Sequence, residues 1–276
     1  MQTLSSEESK DGRTRFRLLA RKILPPALFG LLLILLVQLL STGGLIRQFV
    51  LPPPGQVVRS LISDFPVVRL HLASTFGVAL LGFLLAALAG TAIALLLDRF
   101  RLLSDALYPF IVVSQTIPTL VITPVIVLIF GYGQGARLFV VVLVCFFPLT
   151  INLLQGLRNV DQDLLDMMRT MGASRLATMR HVRLPASLPS FFAGLRISST
   201  YCVMATVLAE WAGGGDGLGI YMLRMKRSFR YDAMFASILW IVALSLFFYL
   251  SAVLLERYAM PWREKHEDKG RKEAVS

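Results

Sequence analysis

Residues 157–185 read LRNVDQDLLDMMRTMGASRLATMRHVRLP and form the one long polar interruption between apolar stretches of the chain. Five of these residues are arginines, and apolar runs flank the segment on both sides. Basic loops of this size beside membrane spans normally stay on the cytoplasmic side. The segment is therefore predicted to be a cytoplasmic loop between two spans.

This loop is predicted to fold as helix, turn and helix. Asp161 can cap a short amphipathic helix that ends at Thr170, because a carboxylate accepts from the free N–H groups of a first turn. Gly172 then allows a sharp bend, since glycine adopts positive φ angles at little cost. A second helical piece from Ser174 is expected to end at Pro185, whose ring removes a backbone donor.

The layout resembles the coupling loop of permease subunits in bacterial ABC importers, which reads Glu-Ala-Ala, three residues, Gly, nine residues and Ile-x-Leu-Pro. Gly172 is followed by nine residues and then by Val-Arg-Leu-Pro, while Asp-Met-Met takes the place of Glu-Ala-Ala. The resemblance implies a helix that docks into a groove on an ATP-hydrolysing subunit. The alternative is a plain basic loop. The coupling positions are Asp166, Met167, Met168, Gly172, Ala173, Leu184 and Pro185.

Composition also indicates a membrane protein. Apolar residues make up 55% of the 276 residues, and the mean hydropathy is +0.67. A soluble domain normally holds about 45–50% apolar residues, and several stretches here exceed the roughly 20 residues that cross a bilayer. The net charge of +11 lies in segments that flank these stretches. It fits orientation and anionic lipid heads better than a nucleic-acid partner.

We predict an all-α integral membrane protein with about six transmembrane helices. The predicted spans are 23–46, 70–97, 102–130, 138–154, 186–211 and 231–255. Of the 28 Lys and Arg residues, 19 lie in the presumed inner segments and 8 in the presumed outer loops. Both termini are therefore predicted to be cytoplasmic. The predicted divisions are a cytoplasmic tail at 1–22, a permease domain at 23–257 with coupling loop 157–185, and a cytoplasmic tail at 258–276.

Two sets of polar residues are candidates for a translocation path. Three prolines interrupt the predicted span 102–130, and irregular backbone at membrane depth survives only when buried in protein or beside a watery cavity. Near the end of the fifth predicted span, a carboxylate and an indole offer hydrogen bonding and a stacking face. The candidates are Gln115, Thr116, Pro118, Thr119, Glu210 and Trp211.

Each set also has a structural interpretation. The first can be a proline kink whose carbonyls are satisfied by neighbouring hydroxyls. In the second, Trp211 can be an interfacial anchor, and Glu210 a helix-end partner for a basic residue such as Arg224.

No catalytic constellation is visible in the sequence. The three histidines fall in different segments, and no metal-ligand spacing or Ser-His-Asp set is present. The glycine-rich run 213–219 lacks the preceding strand and the Lys-Ser/Thr ending of a phosphate-binding loop. We expect a chain with no catalytic site, metal or cofactor of its own. A secondary transporter or a channel is the alternative class, although secondary carriers usually show internal repeats and charges at mid-membrane.

The wider resemblance is closest to the permease group for nitrate, sulfonate, taurine and thiamin-pyrimidine precursors. Residues 51–55, 131–133 and 217–219 match that group's proline-rich loop, Gly-Tyr-Gly turn and Gly-Leu-Gly. Residues 209–211 and 228–229 are similar to the branch for hydroxymethylpyrimidine-type thiamin precursors. Import of a sulfonate, taurine or nitrate by the same machinery is the alternative.

This resemblance implies the fold of a type I ABC importer permease in the bacterial inner membrane. It also implies a homodimer of this chain, a cytoplasmic ATPase dimer that binds ATP and Mg, and an extracytoplasmic binding protein that selects the substrate.

Overall fold

The computed structural model describes residues 24–26, 28–43 and 51–261, and no strand occurs among them. The predicted N-terminal tail and most of the C-terminal tail lie outside the described residues. The helices are α1 Leu24–Thr42, α2 Pro54–Ser63, α3 Phe65–Arg99, α4 Arg101–Ser114, α5 Thr119–Phe130, α6 Gln134–Arg158, α7 Gln162–Thr170, α8 Arg175–Thr178, a π-helix Met179–Arg183, α9 Leu184–Gly213, α10 Leu218–Arg227 and α11 Tyr231–Ala259.

Among the described residues, five helical stretches are long and apolar enough to cross a membrane, or six if the bent pair α4–α5 is one span. They are α1, α3, α6, the continuous stretch Arg175–Gly213 and α11. The all-α membrane class and the number of spans are therefore confirmed. Apart from the broken third span, the spans after α1 extend beyond their predicted bounds at one or both ends, because the helices continue through polar and charged residues that flank the apolar windows.

The third predicted span, 102–130, is not one helix. Helices α4 and α5 meet at 106° across a short break. Pro118 precedes α5 with an extended ψ of 124°, and a proline offers no N–H to continue the hydrogen bonds of α4. The hydroxyls of Ser114 and Thr116 instead bond carbonyls three residues earlier, at 2.8 and 2.7 Å. Carbonyls at the end of α4 are thus satisfied by nearby side-chain hydroxyls.

The chain divides into two compact units. One contains Met1–Phe65 and Met225–Ala236, and the other contains Pro66–Arg224 and Ser237–Ser276. In the first unit, Arg230 contacts Asp64 at 2.6 Å, and the hydroxyl of Ser60 donates to Asp232. These bonds join α2 to the start of α11.

Helices α6 and α9 form the centre of the larger unit and pack against each other along much of their length. Small residues permit this close approach, as is usual for helices in lipid. A Cβ on Gly156 of α6 would lie 2.6 Å from the Cβ of Ser190, and one on Gly194 of α9 would lie 2.9 Å from the carbonyl of Pro148. Larger side chains at either position would force the two helices apart.

The part of α11 that belongs to the larger unit, from Ser237 on, packs against α3 and α9. Rings of Phe76 and Phe83 in α3 lie 5.8 and 6.1 Å from the ring of Phe248 in α11. Arg196 of α9 forms an ion pair with Glu256 near the end of α11. Aromatic contacts and an ion pair therefore help to hold α11 against α3 and α9.

Candidate functional site

The first half of the predicted coupling loop folds as expected. The carboxylate of Asp161 accepts the N–H of Asp163 at 3.0 Å, which caps α7, and the helix ends at Thr170 as predicted. Gly172 then adopts a φ of +72°. A Cβ there would meet no atom within 4 Å, so backbone conformation rather than space favours glycine.

Helix α7 carries exposed apolar side chains on its surface, although Leu165 and Met168 are half-buried. None of its residues is buried. Leu164 and Met167 are 44% and 51% exposed, and Met171 just beyond the helix is 72% exposed. Asp166 contacts Arg169 at 2.8 Å. Exposed apolar side chains clustered on a polar loop are typical of a surface that binds a partner.

The prediction that the second helical piece ends at Pro185 is wrong. The chain stays helical from Arg175 to Gly213, passing through α8, the π-helix and α9. Pro185 lies in the first turn of α9. The π-helix lies directly before it, and the N–H of Leu184 bonds the carbonyl of Met179 five residues back. The regular α-helical bonding is therefore already interrupted where the proline lacks its N–H. The coupling loop therefore enters the fifth span without a break.

A forked ion pair ties the second half of the loop to two other spans. The guanidinium of Arg183 donates to both carboxylate oxygens of Asp98 at 2.7 Å, and to the carbonyl of Leu157 at 2.8 Å. Asp98 lies at the end of α3, and Leu157 lies at the end of α6. This contact was not predicted, because no local pattern links residues so far apart. Beside it lies a cavity of 740 Å³ with Arg99, Arg169, Arg175 and Arg183 on its walls.

A second cavity, of 310 Å³, lies beside the break between α4 and α5. Four of the six predicted path residues line it: Gln115, Thr116, Pro118 and Thr119. Helices α6 and α9 supply the opposite walls, including residues that the sequence did not single out. These residues are Leu143, Val144, Phe147, Pro148, Tyr201 and Met204. The lining contains hydroxyl, amide and aromatic groups, and it contains no Asp, Glu, Lys, Arg or His.

The other two predicted path residues, Glu210 and Trp211, do not line this cavity. Glu210 is fully buried. One carboxylate oxygen accepts from the hydroxyl of Thr75 at 2.7 Å, and the other accepts from the N–H of Gly219 at 2.7 Å. The indole of Trp211 donates to the carbonyl of Gly219 at 3.1 Å. These contacts give Glu210 a structural role, with Thr75 and Gly219 in the place expected for Arg224. The indole of Trp211 binds the first turn of α10, and its role as an interfacial anchor stays a prediction.

Two side chains of α3 cap the start of α10. The N–H of Leu218 donates to the hydroxyl of Thr75 at 2.8 Å, and the N–H of Gly217 donates to His71 at 3.2 Å. Arg137 holds the preceding carbonyl of Asp216 at 2.8 Å. The glycine-rich turn is thus fixed to α3, α6 and α9 and serves as a structural element.

The family model for the binding-protein-dependent transport system inner membrane component matches residues 80–260. The chain belongs to this family. It is a permease subunit of an ABC importer for a small solute, a multi-span protein of the inner membrane. Members of this family work together with an ATPase and a binding protein.

Curated relatives place this permease in the nitrate, sulfonate, taurine and thiamin-precursor group. It is 37% identical to a probable ABC transporter permease protein of Haemophilus influenzae, over 83% of this chain and 94% of that one. It is 32% identical to the formylaminopyrimidine transport permease protein ThiX of Halalkalibacterium halodurans, over 88% and 97%. It is 29% identical to the putative aliphatic sulfonates transport permease protein SsuC of Bacillus subtilis, over 94% and 92%.

A solved structure confirms the predicted type I importer fold. The permease matches a chain of the MetNI methionine ABC transporter in inward-facing conformations, with a TM-score of 0.61 and 17% identity. The match covers 71% of this chain and 98% of that one. At this identity the likeness concerns the fold alone.

Proposed function

We propose that this permease imports a hydroxymethylpyrimidine-type thiamin precursor through the cavity beside the α4–α5 break. The chemistry of the cavity wall carries the proposal. Its volume of 310 Å³ falls in the range of about 300–1,000 Å³ that is usual for small-molecule sites. The wall combines flat aromatic rings with uncharged hydrogen-bonding groups, which suits a small polar heterocycle.

Individual side chains match the parts of a substituted pyrimidine. The amide of Gln115 both donates and accepts, as ring nitrogens and amino groups require. The rings of Phe147 and Tyr201 offer stacking faces on the opposite walls. Tyr201 is 43% exposed, so its ring is accessible to a solute. The ThiX relative, named for formylaminopyrimidine transport, supports the same substrate class.

A sulfonate, taurine or nitrate is the second candidate, because relatives named for these substrates also match. An anion that leaves water needs a cation or several donors to replace its hydration. The cavity wall offers no Lys, Arg or His for this purpose. Cavity chemistry therefore favours the uncharged ring.

We propose that the complete importer has the subunits that the family resemblance implies. Two copies of this chain form the path, and two cytoplasmic ATPase subunits bind ATP and Mg and receive α7, with both termini of the permease on that side. The coupling positions are Asp166, Met167, Met168, Gly172, Ala173, Leu184 and Pro185. The exposed apolar groups on and beside α7 support this docking surface. An extracytoplasmic binding protein delivers the solute to the opposite side.

The test is uptake by the complete importer in proteoliposomes. The permease is reconstituted with its ATPase and binding protein, and ATP-dependent uptake of labelled hydroxymethylpyrimidine, taurine and nitrate is measured. We expect uptake of the pyrimidine only. Transport of taurine or nitrate without the pyrimidine would reject the substrate and keep the importer.

A pair of tyrosine variants tests the cavity itself. Tyr201→Ala is expected to reduce uptake about fivefold, as loss of roughly 1 kcal/mol of ring contact predicts. Tyr249→Ala is the control, since Tyr249 is 41% exposed on α11 but does not line the cavity. Equal uptake by the two variants would remove Tyr201 from the path.

A further inference from the structure

We propose that the Arg183–Asp98 ion pair transmits movement of the coupling loop to spans α3 and α6. Both residues would be positioning residues for ATP-driven transport. This role rests on the proposed function, because it requires an ATPase that moves α7.

The contact between Arg183 and Asp98 is a bidentate ion pair with a fixed geometry. Arg183 reaches Asp98 with two bonds of 2.7 Å, one from each terminal nitrogen of the guanidinium to a separate carboxylate oxygen. Two such bonds resist rotation in a way that one bond does not. The side chain of Asp98 is only 4% exposed and that of Arg183 is 24% exposed, which shields the pair from water and salt.

A third hydrogen bond of Arg183, to the carbonyl of Leu157, connects the loop to α6. Carbonyls in the last turn of a helix have no partner in that helix. Helix α6 ends at Arg158, and the guanidinium of Arg183 takes up the carbonyl of Leu157 at 2.8 Å. Leu157 itself is fully buried in an apolar cluster with Leu97 and Leu154. The side chain of Arg183 therefore bonds the ends of α3 and α6, which are packed together.

Other contacts hold the loop only loosely. No residue of α7, α8 or the π-helix is buried. Met179 packs against the apolar cluster at the ends of α3 and α6, but it is only partly buried. A force applied to α7 reaches α9 through the continuous helix Arg175–Gly213. The bonds of Arg183 to Asp98 and Leu157 would carry it from there to α3 and α6.

The position of Arg183 along the chain suits this role. It is the last residue of the π-helix, immediately before α9 begins at Leu184. Short π-helical turns inside longer helices occur frequently at functional sites. Helices α6 and α9 both line the cavity beside the α4–α5 break. Movement of Arg183 would therefore act on two walls of the proposed path.

The experiment compares four variants in the reconstituted importer. Arg183→Ala removes the ion pair with Asp98. Arg183→Lys keeps the charge but cannot form the two parallel hydrogen bonds. Asp98→Arg combined with Arg183→Asp restores an ion pair with reversed polarity. Arg101→Ala is the matched control, because it removes an exposed arginine of α4 outside the loop. Assembled complex, ATP hydrolysis and uptake are measured for each, and the result is the ATP hydrolysed per solute taken up.

We expect Arg183→Ala to raise the ATP hydrolysed per solute about tenfold, within the range of typical coupling between distant sites. Arg183→Lys should be intermediate, since an ammonium cannot reproduce the planar fork. The charge reversal should recover part of the coupling, because the exchanged guanidinium and carboxylate can still pair. Its recovery should be incomplete, since a carboxylate at position 183 cannot donate to the carbonyl of Leu157. Arg101→Ala should match the wild type.

Two outcomes would overturn the inference. In one, Arg183→Ala keeps the wild-type ratio of ATP to solute. In the other, uptake falls in proportion to assembled complex in every Arg183 variant, including the reversed pair, which makes the contact structural only. Failure of the proposed function is a separate result, since the wild-type importer itself would then show no ATP-dependent uptake.

Discussion

The hydroxyl of Thr75 in α3 donates to the carboxylate of Glu210 in α9 at 2.7 Å and accepts the N–H of Leu218 at 2.8 Å. One hydroxyl therefore joins two spans and caps the start of α10. The residue just before a helix usually supplies this cap. Here the preceding run is rich in glycine, and the cap comes from residues far away in the sequence.

The cap predicts a loss of stability when its members are removed. Glu210→Ala should lower the free energy of unfolding by about 1–3 kcal/mol, because buried donors lose their acceptor. Thr75→Val should have a similar effect, and the two changes together should cost less than their sum, since they belong to one network. Thermal unfolding of the purified permease in detergent measures each change.

Controls for the cap separate structure from transport. Thr200→Val removes an exposed hydroxyl of α9 that bonds only its own helix, and it should leave the midpoint of unfolding unchanged. Glu210→Gln and Trp211→Ala should lower uptake only as far as they lower the amount of assembled complex. A stable, fully assembled Glu210→Gln importer with slow uptake would place Glu210 on the path after all.

We predict that coupling of ATP hydrolysis to uptake depends on the backbone conformation of Gly172, in the turn after α7. Gly172→Val should uncouple ATP hydrolysis from uptake, because a β-branched residue at a φ of +72° costs about 1–2 kcal/mol and shifts the loop. Gly172→Asn should be milder, since asparagine tolerates this region. Substrate-stimulated ATPase activity and uptake are measured side by side.

Gly77→Val is the matched control for this turn. It adds the same side chain to α3, where a Cβ meets no atom within 4 Å and φ is not positive. This variant should behave like the wild type. Normal coupling in Gly172→Val would contradict the assigned role of the turn.

The predicted topology can be tested by thiol labelling. Asn159 and Gln134 lie at opposite ends of α6, and both are exposed. After the buried Cys145 and Cys202 are replaced, a cysteine at position 159 should react with an impermeant reagent only once the inner face is opened. A cysteine at position 134 should react from outside in intact cells. The reverse pattern would put the coupling loop on the wrong side for an ATPase.

Local signals predicted the elements that depend on local chemistry. Apolar windows located the spans, Asp161 and Gly172 marked the ends of α7, and Gln115 and Thr119 identified a wall of the cavity. Each of these predictions used the hydropathy, capping residues or prolines of one short stretch, which can be read from a single sequence.

The errors and omissions have a different cause. A proline usually stops the helix that precedes it, but here a π-helix lets the helical chain continue through Pro185, and no pattern in the sequence marked that turn. The pairs Arg183–Asp98 and Thr75–Glu210 join residues 85 and 135 positions apart. Their partners are chosen by tertiary packing of the spans. Tyr201 looked like any other aromatic residue in an apolar window until α9 was placed beside the broken third span.

The ion pair between Arg196 and Glu256 predicts a sharp contrast between single and double changes. The side chains are 32% and 10% exposed, so the pair lies mostly out of water. Arg196→Met should lower the free energy of unfolding by about 1–3 kcal/mol, less than a fully buried pair would lose, because Glu256 is deprived of its arginine in a poorly solvated place. Changing both residues to Met should recover most of the loss, since two apolar side chains pack α11 against α9 without a charge to solvate.

Arg169→Met is the control for this ion pair. The side chains of Arg169 and Asp166 are 73% and 63% exposed, so loss of their ion pair should barely move the midpoint of thermal unfolding in detergent. If the double variant is as unstable as Arg196→Met, the packing of α11 depends on the charges themselves, and apolar replacement is not equivalent to the pair.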